Sequence, residues 1–212
     1  MRGFADLFLH LDKHLLSVIQ TYDSWTYLIL PAVVFCETGL VVTPLLPGDS
    51  LLFAAGAFAA AGSLRLAPLL AALAAAAILG DTLNYFIGKS LGARAFAGHP
   101  RIFKPEYLER TERFYERFGA KTIVIARFVP IVRTFAPFVA GVGRMRYSTF
   151  LAYNVGGGVA WVAVGLLSGY CFGNLAFVRE NFSLVILAIV FVSILPAVVE
   201  YARSRRRARR AG

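Results

Sequence analysis

The chain has 212 residues, 58% of them hydrophobic, and a mean hydropathy of +0.66. Soluble domains are normally ~45–50% apolar, so composition excludes an ordinary water-soluble globule and points to a membrane protein. The formal net charge of +10 does not indicate nucleic-acid binding, because no reading module accompanies it and the basic residues cluster beside apolar stretches.

In chain order, Phe4, Leu7, Phe8, Leu11, Leu15 and Val18 recur at helical spacing beside Asp6, Asp12 and Lys13. This predicts an amphipathic helix over 1–24 lying at the membrane interface, without the residue order of a cleavable signal peptide. Asp6, His10 and His14 share one face of that helix. With no second ligand set they read as its polar side, and no metal or cofactor is expected. Apolar stretches follow at 25–42, 66–87, 150–172 and 182–199, several approaching the ~20 residues of a membrane-crossing helix. Cys36 and Cys171 fall inside such stretches without metal-ligand spacing and read as small packing residues.

Shifting the sequence by 85 positions places Phe53, Ala55 and Gly56 on Phe138, Ala140 and Gly141. The same shift places Gly80, Tyr85 and Gly88 on Gly165, Tyr170 and Gly173. The recurring Gly-x4-Tyr-x2-Gly frame suggests two homologous halves, 37–90 and 122–175, joined by a basic linker, 91–121. Each half starts with an interrupted apolar piece and continues with an uninterrupted helix, 66–88 or 150–172. Pro44, Pro47 and Gly48 break the first piece, and Pro130 and Pro137 the second, since proline kinks or ends a helix. Broken backbone at membrane depth survives only where protein or a wet cavity satisfies it, so both pieces read as re-entrant hairpins.

Topology follows from charge. Cytoplasmic loops retain Lys and Arg, which puts the linker and the basic tail, 203–212, in the cytoplasm. The first hairpin then enters from outside and the second from the cytoplasm, with a final transmembrane helix at 182–202. The expected fold is an all-α polytopic membrane protein of one membrane domain. It is an inverted repeat of a re-entrant helical hairpin plus a transmembrane helix, with an N-terminal amphipathic helix and a C-terminal transmembrane helix. Opposed hairpins about a midplane site are a pattern of secondary transporters.

Glu37 and Asp49 in the first hairpin face Arg127 and Arg133 in the second. A charge at the bilayer centre costs ~2.5–3.5 kcal/mol even on the gentler insertion scale, so mutual compensation is expected. A buried salt-bridge network that only fixes the hairpins is one reading, and a transport pathway is the other. On the second, Arg127 and Arg133 bind an anion, because a guanidinium stays charged and its planar fork matches phosphate or carboxylate. Glu37 and Asp49 are then the proton-coupling candidates, since burial favours the neutral acid and a neighbouring cation the anion. Asp81, Asn84 and Tyr85 on the first continuous helix are supporting residues, together with Pro47, Gly48, Pro130 and Pro137. Gly156-Gly157-Gly158 lies on a span and lacks the following Lys-Ser/Thr of a phosphate-cradling loop, whereas Gly88/Gly92 and Gly165/Gly169/Gly173 have the small-xxx-small spacing of helix packing. No nucleophile elbow, zincin pattern or redox cysteine pair is present, so no catalytic residue is proposed.

These residues resemble the DedA family of bacterial membrane proteins, which shares the VTT (SNARE-associated) domain with eukaryotic lipid scramblases. The resemblance rests on Phe35-Cys36-Glu37-Thr38-Gly39 and Pro44-x-x-Pro47-Gly48-Asp49-Ser50, then Gly80-Asp81-x-x-Asn84-Tyr85-x-x-Gly88. It continues through Arg127-Phe128-Val129-Pro130-x-x-Arg133-Thr134-x-x-Pro137 to Asn154, Trp161 and Gly169-Tyr170-x-x-Gly173. It implies a bacterial inner-membrane protein serving envelope homeostasis, with functional acids and arginines at Glu37, Asp49, Arg127 and Arg133. It also implies proton-dependent transport and recycling of undecaprenyl phosphate. The leading expectation is a flippase for such an anionic lipid, partnered by membrane lipids. The alternatives are a proton-coupled cation or drug antiporter and a non-transporting scaffold, with an enzyme acting on lipid phosphates more distant.

Overall fold

The computed structural model describes residues 25–39, 48–98, 119–182, 184–189 and 191. The expected helix over 1–24, Pro44, Pro47, linker residues 99–118 and residues 192–212 lie outside these.

Among the described residues the secondary structure is helical, with no strand. Seven helices are assigned: α1 (Thr26–Gly39), α2 (Gly48–Ala60), α3 (Leu66–Gly98), α4 (Lys121–Ala126), α5 (Pro130–Val142), α6 (Tyr147–Phe172) and α7 (Ala176–Glu180). Phe182, 184–189 and 191 are helical as well. Two apolar segments, Leu66–Leu91 and Tyr147–Phe172, each have 26 residues. At 1.5 Å per residue each is about 39 Å long, enough to cross a hydrocarbon core of about 30 Å. The 13 or 14 residues of α1, α2 and α5 reach only about 20 Å.

Three expectations are corrected. The first continuous helix does not stop near 88 but runs to Gly98. Residues 89–98 contain no proline, and Ala and Arg are good helix formers, so charge ends the apolar segment without ending the helix. Pro137 does not break the second piece, because α5 passes through it. The interruption falls instead at 127–129, and Pro130 occupies the first turn of α5, where its missing N–H costs nothing. Cys36 and Cys171 are exposed rather than packed, which is cheap for a small apolar side chain facing lipid.

The principal helix pairs are α2 with α6, α5 with α3, and α1 with α3. Glycine permits each close approach. A Cβ at Gly56 or Gly169 would strike the backbone of Leu166 or Phe53, and one at Gly141 or Gly88 the backbone of Tyr85 or Phe138. The 85-residue shift carries Gly56 and Tyr85 onto Gly141 and Tyr170. A Gly56 Cβ would also meet Tyr170, so the Gly56–Tyr170 and Gly141–Tyr85 contacts exchange under that shift.

One core cluster gathers Leu30, Val34, Leu52, Phe58, Leu69, Leu73 and Leu166, and a second gathers Tyr85, Ile123, Ala126, Ala140 and Phe150. The Tyr27 hydroxyl accepts from the Arg65 N–H, and the Ala60 carbonyl accepts from Asn174 Nδ2 at 3.1 Å. The start of α1 and the end of α2 therefore lie by the start of α3 and the end of α6. Toward the other end of α3, Tyr85 donates its hydroxyl proton to the Met145 carbonyl and stacks on Phe150. Leu28, Leu79, Ile125, Val164, Phe172 and Phe177 are all more than half exposed. Such a belt is unfavourable in water and suited to lipid.

Candidate functional site

The site forms where α1 ends, α2 begins, and the chain between α4 and α5 is interrupted. Glu37 is in the last turn of α1, with its side chain 1% exposed. Its Oε1 accepts from the Gly48 N–H at 3.2 Å, satisfying one of the donors a helix start leaves open. Asp49 follows in the first turn of α2, where the positive end of the helix dipole favours a carboxylate.

Arg133, in the first turn of α5, joins both acids. Its Nη1 donates to Asp49 Oδ1 at 2.9 Å and its Nη2 to Glu37 Oε1. The guanidinium carbon lies 4.8 Å from the centroid of the Trp161 ring, and Trp161 Nε1 donates to Asp49 Oδ1 at 2.9 Å. Arg127, just past α4, has other partners: its Nη2 donates to Asp81 Oδ2 on α3 and to Asn154 Oδ1 on α6. Asn154 in turn donates to the Ile78 carbonyl at 3.0 Å. Gly157 and Gly158 make room for this arginine, since a Cβ on either would come within 3.4 Å of its side chain.

Asn84 ties the two interrupted segments together. Its Nδ2 donates to the Thr134 carbonyl at 2.7 Å and to the Thr38 carbonyl at 3.2 Å. The latter is among the open acceptors at the end of α1. Between the arginines, Thr38, Asp81, Arg127, Arg133, Thr134 and Trp161 line a cavity of about 10 Å³. That is room for one water molecule and too little for a phosphate group. Glu37 Oε2, Asn84 Oδ1 and the Nε atoms of Arg127 and Arg133 are buried without a hydrogen-bond partner.

The structure thus brings Glu37, Asp49 and Arg133 into one cluster and Arg127, Asp81 and Asn154 into an adjacent one. Asn84 and Gly48 border the first; Tyr85 belongs to the aromatic cluster further along α3. Pro137 is buried in α5, and Pro47 lies outside the described residues. Sequence reasoning gave no site role to Trp161, Asn154, Gly157 or Gly158. The signal that could have found them is spacing: Asn154, Gly157, Gly158 and Trp161 fall on one helical face.

Residues 46–171 match the VTT domain. Over 209 residues, covering 97% of this chain and 95% of the relative, the sequence is 50% identical to Protein DedA of Escherichia coli K12. The chain belongs to the DedA family. Within it, an uncharacterized membrane protein of Mycobacterium tuberculosis is 49% identical over 182 residues, 84% of this chain and 80% of the relative. Inner membrane protein YghB of Escherichia coli K12 is 34% identical over 186 residues, 87% of this chain and 80% of the relative. No solved structure matches. DedA membership identifies the chain as a membrane protein, in line with its composition and its exposed apolar belt.

Proposed function

We propose that this DedA protein carries an anionic lipid of the polyprenyl-phosphate class, undecaprenyl phosphate in particular, across the bacterial inner membrane with proton coupling through Glu37 and Asp49. The observation that carries the reading is Arg133. It is a buried guanidinium placed where helices are interrupted, opposite two carboxylates, in a chain otherwise built for lipid. Intramembrane charge in that setting marks a pathway more often than a fastening. Two inverted re-entrant hairpins, α1–α2 and α4–α5, fit the end-to-end contacts of Tyr27, Ala60 and Tyr85 and the exchange of the Gly56 and Gly141 contacts. A site between two such hairpins is closed to lipid in the arrangement described, and alternating access requires the hairpins to part.

A second reading has its own support. Three acids, Glu37, Asp49 and Asp81, accompany two arginines, so one carboxylate has no arginine of its own. That excess suits a proton-coupled cation antiporter.

Flipping of a fluorescent short-chain polyprenyl phosphate by purified protein in vesicles separates these. Arg133→Lys keeps the charge but loses the planar fork, and transport falls at least tenfold at matched insertion. A fastening role instead predicts that Arg133→Lys is near normal and that the neutral pair Arg133→Ala with Asp49→Ala recovers function. Transport of cations but not of the lipid supports the antiporter.

A further inference from the structure

Four N–H donors converge on two carboxylate oxygens. Asp49 Oδ1 accepts from Arg133 Nη1 and Trp161 Nε1, each at 2.9 Å. Glu37 Oε1 accepts from Arg133 Nη2 and from the Gly48 N–H. The donors come from α5, α6 and the start of α2. A forked guanidinium, a helix-start N–H and an indole N–H make a donor set suited to phosphate oxygens. Here the protein's own acids fill it. A Cβ on Gly48 would overlap the Glu37 carboxylate, so glycine is what lets an oxyanion reach that N–H. Arg133 Nε and Glu37 Oε2 remain buried without hydrogen-bond partners, leaving one donor and one acceptor for a rearranged state.

We propose, resting on the anionic-lipid reading above, that Glu37 and Asp49 are exchangeable occupants of a four-donor anion cradle formed by Arg133, Trp161 Nε1 and the Gly48 N–H. A phosphate monoester binds by displacing them, and a displaced carboxylate leaves as the neutral acid, its proton taken from hydronium with release of water. The N–H···O bonds to the carboxylate break and equivalent bonds to phosphate oxygens form.

The charges around the cradle require this exchange. Facing it are Glu37 from α1, Asp49 from α2, Asp81 from α3, Arg127 from the end of α4 and Arg133 from α5; α6 contributes the neutral Asn154 and Trp161. Fully ionised, three acids and two arginines already leave one negative charge. A phosphate added without protons deepens it in a buried site, which is costly. Arg127 offers no relief, being held by Asp81 and Asn154. Uptake of one proton per added negative charge keeps the balance. Asp49, with 29% of its side chain exposed against 1% for Glu37, is the first to leave.

The test uses the purified full chain in nanodiscs with farnesyl monophosphate as probe. Binding heats in two buffers of different ionisation enthalpy give the protons exchanged. Wild type takes up about one to two more protons per phosphate, one for each carboxylate displaced, than the Glu37→Gln/Asp49→Asn double variant, and its Kd rises up to about tenfold more per pH unit for each such proton. If the double variant does not insert, Asp49→Asn alone carries the comparison. Trp161→Phe keeps a ring beneath Arg133 but removes the N–H, and it binds on the order of tenfold more weakly with proton uptake retained. Equal proton uptake in wild type and variant, with binding intact, overturns the exchange and leaves the anionic-lipid reading standing. Failure of wild type to bind farnesyl monophosphate overturns both, and unchanged affinity in Trp161→Phe removes Trp161 from the cradle and overturns its four-donor form.

Discussion

Arg127 and Arg133 are six positions apart, yet their surroundings assign them different work. Arg133 joins two acids from a neighbouring interrupted segment, one of them part exposed, beside a small cavity. Arg127 is buried against one acid, one amide and two glycines on continuous helices. Both arginines were legible as membrane-depth charges in need of compensation, and opposite charge in opposite halves set both against Glu37 and Asp49; the structure pairs those acids with Arg133 and pairs Arg127 with Asp81. The Arg127–Asp81 pair was not legible, because it depends on the axial register of α4 against α3, which periodicity within each helix does not encode. Arg127→Ala leaves Asp81 as an uncompensated buried charge and destabilises the protein by about 3–5 kcal/mol. Adding Asp81→Ala removes that charge and restores most of the loss. Thermal unfolding in detergent measures both, and an undiminished melting temperature in the single variant contradicts the structural role.

Among the elements, glycine decides which helices can touch, and Asn84 decides how the interrupted ones are held. Gly156, Gly157 and Gly158 look alike in sequence. The structure separates them: a Cβ at Gly156 meets nothing within 4 Å, whereas at Gly157 it comes within 3.1 Å of Arg127 and 3.2 Å of Val124. Gly156→Ala is therefore neutral or stabilising by up to about 1 kcal/mol, from the better helix propensity of alanine. Gly169→Ala drives a methyl into the Phe53 backbone and destabilises by about 1–3 kcal/mol, as overpacking does. Equal melting temperatures for these two variants would falsify the packing of α2 on α6. Asn84→Leu withdraws the donor from the Thr38 and Thr134 carbonyls and costs about 1–3 kcal/mol, read in the same assay. Pro137 shows what sequence could not give at this scale. A proline within an apolar piece signals a break, but where the break falls depends on how neighbouring helices support the freed carbonyl.

Across the whole molecule, buried charge lies between two core clusters, and the helix ends sort into two groups. Tyr27, Ala60, Arg65 and Asn174 gather at one end, while Lys89, Gly141 and Met145 gather toward the other. Composition made the membrane class legible, and the two long apolar helices were legible because nothing interrupts them. Sidedness rests on loop charge, and the proposed hairpins on α1 starting beside the start of α3 and α2 ending beside the end of α6. If the first hairpin enters from outside and the basic linker is cytoplasmic, positions 65 and 180 share the outer side and position 109 faces inward. Single cysteines at Arg65, Glu180 and Glu109, in a background with Cys36 and Cys171 replaced by alanine, test this with a membrane-impermeant maleimide on intact spheroplasts. Arg65→Cys and Glu180→Cys label directly, and Glu109→Cys labels only after the membrane is opened. Labelling of Arg65→Cys and Glu180→Cys from opposite sides rules out a first segment that returns to the face it entered, since the start of α3 and the end of α6 would then lie on different surfaces. Labelling of all three with sides exchanged keeps the hairpins and reverses the molecule in the membrane, placing the basic linker outside against the retention of Lys and Arg in the cytoplasm.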